Sequence, residues 1–130
     1  MKVFTKNNMV FWEMVEDAAL YVVHLYIGAT SWNDGRGRFE IIRCPSFLSD
    51  KHKMLSVGDV AYQQVNEIVI DKVKTYHTFT DLVDISWEYR SDSTSTRYST
   101  HLDYFVSVSA EDKLGNTIEK SEQVLIKIHI

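Results

Sequence analysis

Cysteine, proline and glycine are scarce in this sequence of 130 residues, which has one cysteine, one proline and five glycines. A single cysteine excludes a disulfide-stapled scaffold and a zinc module built from several cysteines. The low glycine and proline content excludes collagen-like repeats and flexible linkers. Residues 1–14 lack an apolar run long enough for a signal-peptide core, and no stretch reaches the length of a membrane span. We therefore expect a chain that is made and kept in a reducing cytoplasm, or assembled there into something larger.

The chain also lacks a strong charge bias. Lysine and arginine number 14 and aspartate and glutamate 18, for a formal net charge of −4, which suits nucleic-acid backbone binding poorly. Hydrophobic residues make up 45% of the sequence, which argues against general disorder. The 14 valines, 10 isoleucines, 9 threonines and 16 aromatic residues are strand-favouring types and total 49 of 130 residues. We therefore expect an all-β domain that has no membrane partner, and its charge disfavours nucleic acid as a partner.

Apolar runs and alternation predict strands along most of the chain. The run at 19–27 (ALYVVHLYI) is almost entirely apolar, as in a strand that is covered on both faces. Asp34-Gly35 is a turn signal because glycine accepts positive φ without steric cost. The segment 46–60 is predicted to be loop-like. The predicted strands are 9–15, 19–27, 38–44, 75–82, 104–110 and 124–130.

Residues 59–76 fit two structures. Asp59 is a suitable N-cap, and the apolar residues that follow it recur at helical spacing. In an extended chain, Val65 and Val69 lie on one side and Ile68 on the other. Periodicity alone does not separate the two for a short apolar run. A short helix around 59–74 and a strand therefore both remain open.

Two segments resemble a known family. Residues 12–23 (WEMVEDAALYVV) are similar to the B–C region of fibronectin type III domains, where a core tryptophan precedes an alanine-containing turn and a Tyr-x-Val strand. Residues 104–116 (YFVSVSAEDKLGN) are similar to the F strand and F–G turn of that family, and 121–124 (SEQV) fit the start of its G strand. The resemblance covers about residues 9–30 and 102–126.

The resemblance implies one immunoglobulin-like or fibronectin type III-like antiparallel β-sandwich domain over residues 1–130. It places Trp12 at the centre and makes Tyr104 the tyrosine-corner residue, which ties down the E–F connection. The chain departs from the family in its poor proline content and in the distance from Leu82, the best E-strand candidate, to Tyr104. Residues 83–103 thereby become a long insertion before strand F. The predicted core residues are Trp12, Tyr21, Val23, Leu82, Tyr104, Val106 and Val108.

No residue set with catalytic spacing is found. Cys44 has His52 near it in sequence, but a cysteine at a strand end is more typical of a small buried hydrophobe than of a nucleophile. The five histidines lack metal-ligand spacing, and the acidic pairs at turns lack the ladder of oxygen ligands that follows in a calcium loop. We therefore expect a non-enzymatic protein with no catalytic residues, no metal and no cofactor.

Aromatic residues and arginines are interleaved over 87–98 around a Ser/Thr-rich centre. These residue types are enriched at interface hot spots and in adaptable binding loops. Alternatively, Trp87 and Tyr89 pack back onto the sandwich in an extra strand, as large apolar side chains usually do. A second set of the same residue types lies beside the turn at Asp34-Gly35. The predicted partner-binding residues are Trp32, Arg36, Arg38, Trp87, Tyr89, Arg90, Arg97 and Tyr98.

Two functions fit these features. The first is a structural or assembly protein that acts through protein–protein contacts in a larger multimer. Because bacteriophage virions use domains of the resembled family as capsid decoration or tail accessory proteins, the expected location is the virion, after synthesis in the host cytoplasm. The second is a carbohydrate- or protein-binding accessory module of an exported bacterial protein, with an extracellular location.

Overall fold

The computed structural model describes residues 1–28, 37–41, 46–49, 54–56, 62–91 and 97–128. These residues form eleven strands and no helix, and every strand pair is antiparallel. No membrane-spanning helix occurs in them. The all-β, antiparallel prediction is therefore confirmed. The strands are β1 (Val3–Lys6), β2 (Met9–Trp12), β3 (Leu20–Gly28), β4 (Gly37–Ile41), β5 (Met54–Ser56), β6 (Tyr62–Asp71), β7 (Tyr76–Thr78), β8 (Ile85–Ser91), β9 (Arg97–Glu111), β10 (Thr117–Lys120) and β11 (Val124–Ile126).

The smaller sheet has three strands in the order β1-β2-β7. A tight turn joins β1 to β2, and Asn7 takes a φ of 54° there, in the left-handed region that asparagine tolerates better than most residues. The register pairs Val3 with Trp12 and Lys6 with Met9. Sequence analysis missed β1 and extended β2 to residue 15. The Asn-Asn pair at the turn was the available signal.

The larger sheet has the order β5-β4-β8-β9-β3-β6, and β10 and β11 also pair with β9. Its centre is the pair β3–β9, whose register runs from Leu20 opposite Glu111 to Gly28 opposite Asp103. As predicted, β3 is covered on both faces for most of its length. The predicted final strand, 124–130, is shorter in the structure, where β11 ends at Ile126.

The buried core draws side chains from both sheets in a β-sandwich-like arrangement. Val10, Trp12 and Phe79 come from the smaller sheet and the chain next to it. Alternate residues of β3 and β9 come from the larger sheet, since successive side chains of a strand point to opposite faces. All seven residues predicted for the core are buried: Trp12, Tyr21, Val23, Leu82, Tyr104, Val106 and Val108.

The helical interpretation of 59–74 is wrong over the described part, because 62–71 form strand β6. A β-bulge explains the misleading pattern: the register with β3 shifts between Leu25 and Tyr26, opposite Asn66 and Gln64. Val65 therefore packs against the core together with Ile68, three residues away, although an unbroken strand would separate them. That spacing imitates a helix. Residues 59–61, including the predicted cap Asp59, lie outside the described residues.

The predicted strand over 75–82 is also too long, since β7 spans only Tyr76–Thr78. Phe79 and Leu82 are both buried, and Leu82 lies in the connection to β8 rather than in a strand. The predicted insertion at 83–103 contains β8 and the first residues of β9, which pair with one another from Ile85–Leu102 to Arg90–Arg97. The insertion therefore forms a hairpin, and β9 continues from it without a break through the predicted F strand.

Candidate functional site

Six of the eight predicted partner-binding residues lie in one part of the larger sheet. We call this part the arm: strands β4, β5 and β8 with residues 97–102 of β9. Because β4 pairs with β8, Arg38 lies in the same sheet as the predicted residues of β8 and β9, although the sequence analysis placed it in a separate set beside the turn at Asp34-Gly35. Trp32 and Arg36 lie outside the described residues. The arm therefore contains six of the eight predicted residues: Arg38, Trp87, Tyr89, Arg90, Arg97 and Tyr98.

Three arginines occupy one row across the arm. Arg38 is the register partner of Arg90, which is in turn the partner of Arg97. Directly opposed like charges destabilise a sheet, so a row of three arginines contributes nothing favourable to strand pairing. Glu40 and Glu88 are paired two residues along the strands from the arginine row, on the side nearer Ile85.

The row next to the arginines is aromatic. Phe39 is the register partner of Tyr89, and Tyr89 of Tyr98. Opposed residues lie on the same face of a sheet, and so do residues two apart in one strand. In β8, Trp87 lies two residues before Tyr89, and Ile85 at the start of the strand is buried and paired with the buried Leu102. Backbone register thus brings aromatic residues that are far apart in sequence to neighbouring positions of the arm.

A tyrosine secures the base of the arm. The hydroxyl of Tyr104 donates a hydrogen bond of 2.8 Å to the carbonyl oxygen of Val83, two residues before β8 begins. Burial raises the pKa of this hydroxyl above its ordinary value of 10.0, so it remains protonated and keeps its donor. Phe47 packs on the same ring, with centroids 6.2 Å apart, and Leu48 enters the core beside it. The hydrogen bond therefore ties the chain before β8 to strand β9.

Three connections meet at the other end of β9, and together we call them the loop end: residues 13–19, 72–75 and 112–116. The turn at 112–116 is held by Asp112, whose Oδ1 accepts hydrogen bonds of 2.9 Å from the amides of Leu114 and Asn116. The Asn116 amide is the main cause of the lowered pKa of Asp112, and the Leu114 amide adds to it. Gly115 takes a φ of +83°, which glycine adopts without strain.

The other two connections of the loop end are also fixed by hydrogen bonds. The Tyr21 hydroxyl accepts a bond of 2.9 Å from the amide of Val15, and the Ala19 amide donates one of 2.7 Å to the carbonyl of Glu111. In the third connection, the amide of Lys74 donates to the carbonyl of Asp71 at 2.9 Å. Each of the three connections nevertheless exposes one large apolar residue. These are Met14, Val73 and Leu114, with relative exposures of 76%, 79% and 86%.

A polar network crosses the outer face of the larger sheet, and sequence analysis missed it. His24 Nε2 lies 2.5 Å from Ser109 Oγ on β9, and its Nδ1 lies 3.0 Å from Gln64 Oε1 and 3.4 Å from Glu67 Oε1 on β6. Gln64 Nε2 donates to Glu67 Oε1 at 2.8 Å, so both neighbours of His24 Nδ1 are hydrogen-bond acceptors.

This network contains the same types of side chain as a serine–histidine–acid catalytic triad, but its serine is buried. Ser109 is only 4% exposed and lies within the paired part of β9, whereas a nucleophile must reach a reacting carbonyl next to preorganised donors. The geometry links three neighbouring strands and supports their register. The histidine and the serines are visible in the sequence, but which of them lie opposite one another becomes clear only when the register of the strands is known.

Other candidate chemistry is not assembled in the part of the chain that the structure describes. No three histidine, cysteine, aspartate or glutamate side chains group there in a way that suits a metal ion. Cys44, His52 and His129 lie outside the described residues. The indole nitrogen of Trp12 is buried without a hydrogen-bond partner among the described residues, and the ring packs edge-on against Tyr21 at 5.4 Å.

No family profile, curated protein or solved structure matches this chain.

Proposed function

We propose that the chain is a fibronectin type III-like domain with a built-in arm. In immunoglobulin-like sandwiches, strands A, B and E share one sheet, and C, F and G share the other. With β2, β3, β7 and β9 taken as B, C, E and F, β1-β2-β7 corresponds to A-B-E. Strands β10 and β11 then take the place of G beside β9, and β6 flanks β3 as the C′ strand does in variable domains. The Tyr104–Val83 hydrogen bond supports the same assignment.

We further propose that this domain is a non-enzymatic structural protein that assembles through protein–protein contacts made by the arm. One observation carries the proposal: pairing of β4, β8 and β9 collects arginines and aromatic residues into adjacent rows. Arginine, tyrosine and tryptophan are the residue types that dominate binding energy at protein interfaces. A sheet also holds them at lower entropy cost than a free loop does, which favours affinity.

Within this class we propose a bacteriophage virion component, either a capsid decoration protein or a tail accessory protein. The support is the use of such sandwiches in virions, which is an analogy at the level of the fold. A domain whose central strand β9 continues into a second group of paired strands suits a subunit that contacts its neighbours through those strands. The protein would be made in the host cytoplasm and would act in the finished particle.

The proposal is tested by a triple variant of the arm, Trp87→Ala, Tyr89→Ala and Arg97→Ala. The tagged chain is expressed in cells that carry its native genome, and particles are separated by sedimentation. We expect wild type to sediment with particles and the triple variant to remain in the soluble fractions, with a thermal unfolding curve close to that of wild type.

The matched control is Phe4→Ala, Tyr76→Ala and Lys6→Ala, which removes two exposed aromatic rings and one exposed cation from the smaller sheet. It should sediment as wild type does. If the arm variant sediments normally, or if wild type never enters particles, the proposed role is wrong. Stabilisation of the wild-type chain by a glycan or peptide in a thermal-shift screen would favour a binding module of an exported protein.

A further inference from the structure

Strand β6 forms one border of the larger sheet. Among the described residues it pairs only with β3, on one of its two sides. It spans Tyr62–Asp71, and a long edge strand is a template to which a further strand can add. Lysine, proline and bulges commonly protect such an edge, but β6 has no lysine or proline, and beyond its bulge residues 66–71 pair with β3 in unbroken register. This stretch is therefore suited to an added strand.

Two hydrogen bonds show which backbone groups of β6 face its open side. The Glu67 amide donates to Asn66 Oδ1 at 2.9 Å, and the Asp71 carbonyl accepts a bond of 2.9 Å from the Lys74 amide. Both groups are thus bonded outside β3. Because the backbone groups of alternate residues point to the same side of a strand, Val69, midway between them, also turns its amide and carbonyl to the open side. An added strand would bond to this stretch.

The same stretch carries two carboxylates and an exposed apolar side chain on one face of the sheet. Glu67, Val69 and Asp71 are two residues apart, so their side chains share a face. Val69 is 68% exposed, the Glu67 side chain is 55% exposed, and Asp71 is exposed as well. Within the described residues, neither carboxylate forms an ion pair with lysine or arginine. The open edge therefore shows an alternating pattern of acid, apolar residue and acid.

The charges of this edge disfavour a second copy of β6 as the added strand. Two-fold antiparallel pairing centred on Val69 would place Glu67 of one copy opposite Asp71 of the other. Pairing centred on Glu67 would place the two glutamates opposite one another. Like charges directly opposed destabilise a sheet, and β6 has no cation to offset them. An added strand that carries cations meets the opposite situation, because opposed unlike charges stabilise the pairing.

We propose that the open edge of β6 binds an extended segment of a partner protein in which lysine or arginine stands on both sides of an apolar residue, at alternate positions. Main-chain hydrogen bonds to Val69 supply attachment, and the two cations opposite Glu67 and Asp71 supply specificity. The apolar residue between them covers the Val69 side chain. Strands β3 and β9 separate β6 from β8 in the sheet, so this surface is distinct from the arm and adds a second interaction to the proposed function.

The first experiment titrates a short peptide with blocked ends and the repeating sequence Lys-Thr-Val-Thr into the isotope-labelled full chain. Calorimetry measures affinity and two-dimensional NMR follows amide exchange. We expect a Kd below about 1 mM at low salt, and slower exchange of the Val69 and Asp71 amides when the peptide is bound. The amides of Ile68 and Ile70, which face β3, should exchange slowly even without peptide. If the peptide does not bind, or binds without protecting Val69 and Asp71, the proposal is wrong.

Two further peptides separate backbone pairing from charge. A peptide with glutamate in place of lysine should bind at least about tenfold more weakly, because its charges oppose Glu67 and Asp71. A lysine peptide with methylated backbone amides should lose affinity to a similar extent, because it cannot donate to the edge. Equal binding of the glutamate peptide contradicts the stated chemistry of the partner, and equal binding of the methylated peptide contradicts strand addition.

A proline variant tests the edge from the side of the protein. Val69→Pro removes the amide at the centre of the open edge and leaves the hydrogen bonds to β3 in place, since proline is tolerated where the amide of an edge strand faces solvent. We expect a thermal unfolding curve close to that of wild type and peptide binding at least about tenfold weaker. The matched control, Val69→Thr, keeps the amide and a branched side chain and should bind nearly as wild type does.

A charge reversal tests the same surface should Val69→Pro fail to fold. Asp71→Lys should weaken binding of the lysine peptide at least about tenfold and strengthen binding of the glutamate peptide. Its control is Glu122→Lys, the same change of charge on an exposed residue between β10 and β11, which should leave binding unchanged. If Asp71→Lys binds the lysine peptide as wild type does, the edge of β6 is not the docking surface. If the wild-type chain alone dimerises with protection of the Val69 amide, the occupant is a second copy and the proposal is wrong.

Discussion

Replacing Tyr104 by phenylalanine removes one hydroxyl and one hydrogen bond from the base of the arm and changes little else. The ring is 1% exposed, and phenylalanine fills the same space without opening a cavity. The lost bond, 2.8 Å long, leaves the carbonyl of Val83 without its donor at a partly buried site. Removing one partner of a buried hydrogen bond costs about 1–3 kcal/mol. Because Val83 itself is partly exposed, we expect the lower half of that range, about 1–2 kcal/mol.

The assay is urea and thermal unfolding followed by circular dichroism, with Tyr76→Phe as the control. Tyr76 is 47% exposed on β7, so loss of its hydroxyl should leave stability nearly unchanged. For a domain of this length, about 1–2 kcal/mol corresponds to a melting temperature lower by roughly 3–10 °C. If Tyr104→Phe unfolds at the same denaturant concentration as wild type, water replaces the lost donor and the hydroxyl does not fasten the arm.

Two groups predict how stability depends on pH. Burial lowers the pKa of His77 below its ordinary value of 6.5, and Lys74 adds to this while Asp81 opposes it. The unfolded chain is therefore protonated first, and stability falls as pH decreases through 6.5; His77→Gln should lose less stability than wild type between about pH 7 and 5 in urea titrations. Hydrogen bonds led by the Asn116 amide lower the pKa of Asp112, so its contribution is present above the ordinary value of 3.8 and is lost as pH falls below it. Asp112→Asn should be less stable than wild type at neutral pH, with the difference shrinking in acid; a difference that persists unchanged below about pH 3 would contradict this.

The local sequence pattern was sufficient to predict a strand where apolar and polar residues alternate or where both faces of the strand are covered. The apolar run of β3 and the alternation from Tyr104 to Ala110 in β9 are produced by burial of one or both faces, and both strands were predicted. Strand β6 was ambiguous for the opposite reason. Its bulge near Val65 breaks the period of two, and only pairing with β3 decides between helix and strand.

The candidate surface was predictable in composition but not in geometry. Aromatic residues and arginines are visible in the sequence, yet the row of Arg38, Arg90 and Arg97 depends on a pairing between β4 and β8 across more than forty residues. No local propensity encodes such a register, because register is set by partner strands and turns. The same holds for the contact of His24 with Ser109, which are 85 residues apart.

Strand β9 runs without a break from the sandwich into the arm, so the number of residues in the β8–β9 hairpin sets how far the arm extends. With no joint between the two parts, each pair of residues added to both strands of the β8–β9 hairpin would move the tip outward by about 6.6 Å and keep every side chain on its own face. A single added residue would exchange the two faces instead. The length of the arm can therefore change only in fixed steps of two residues if its faces are to be kept.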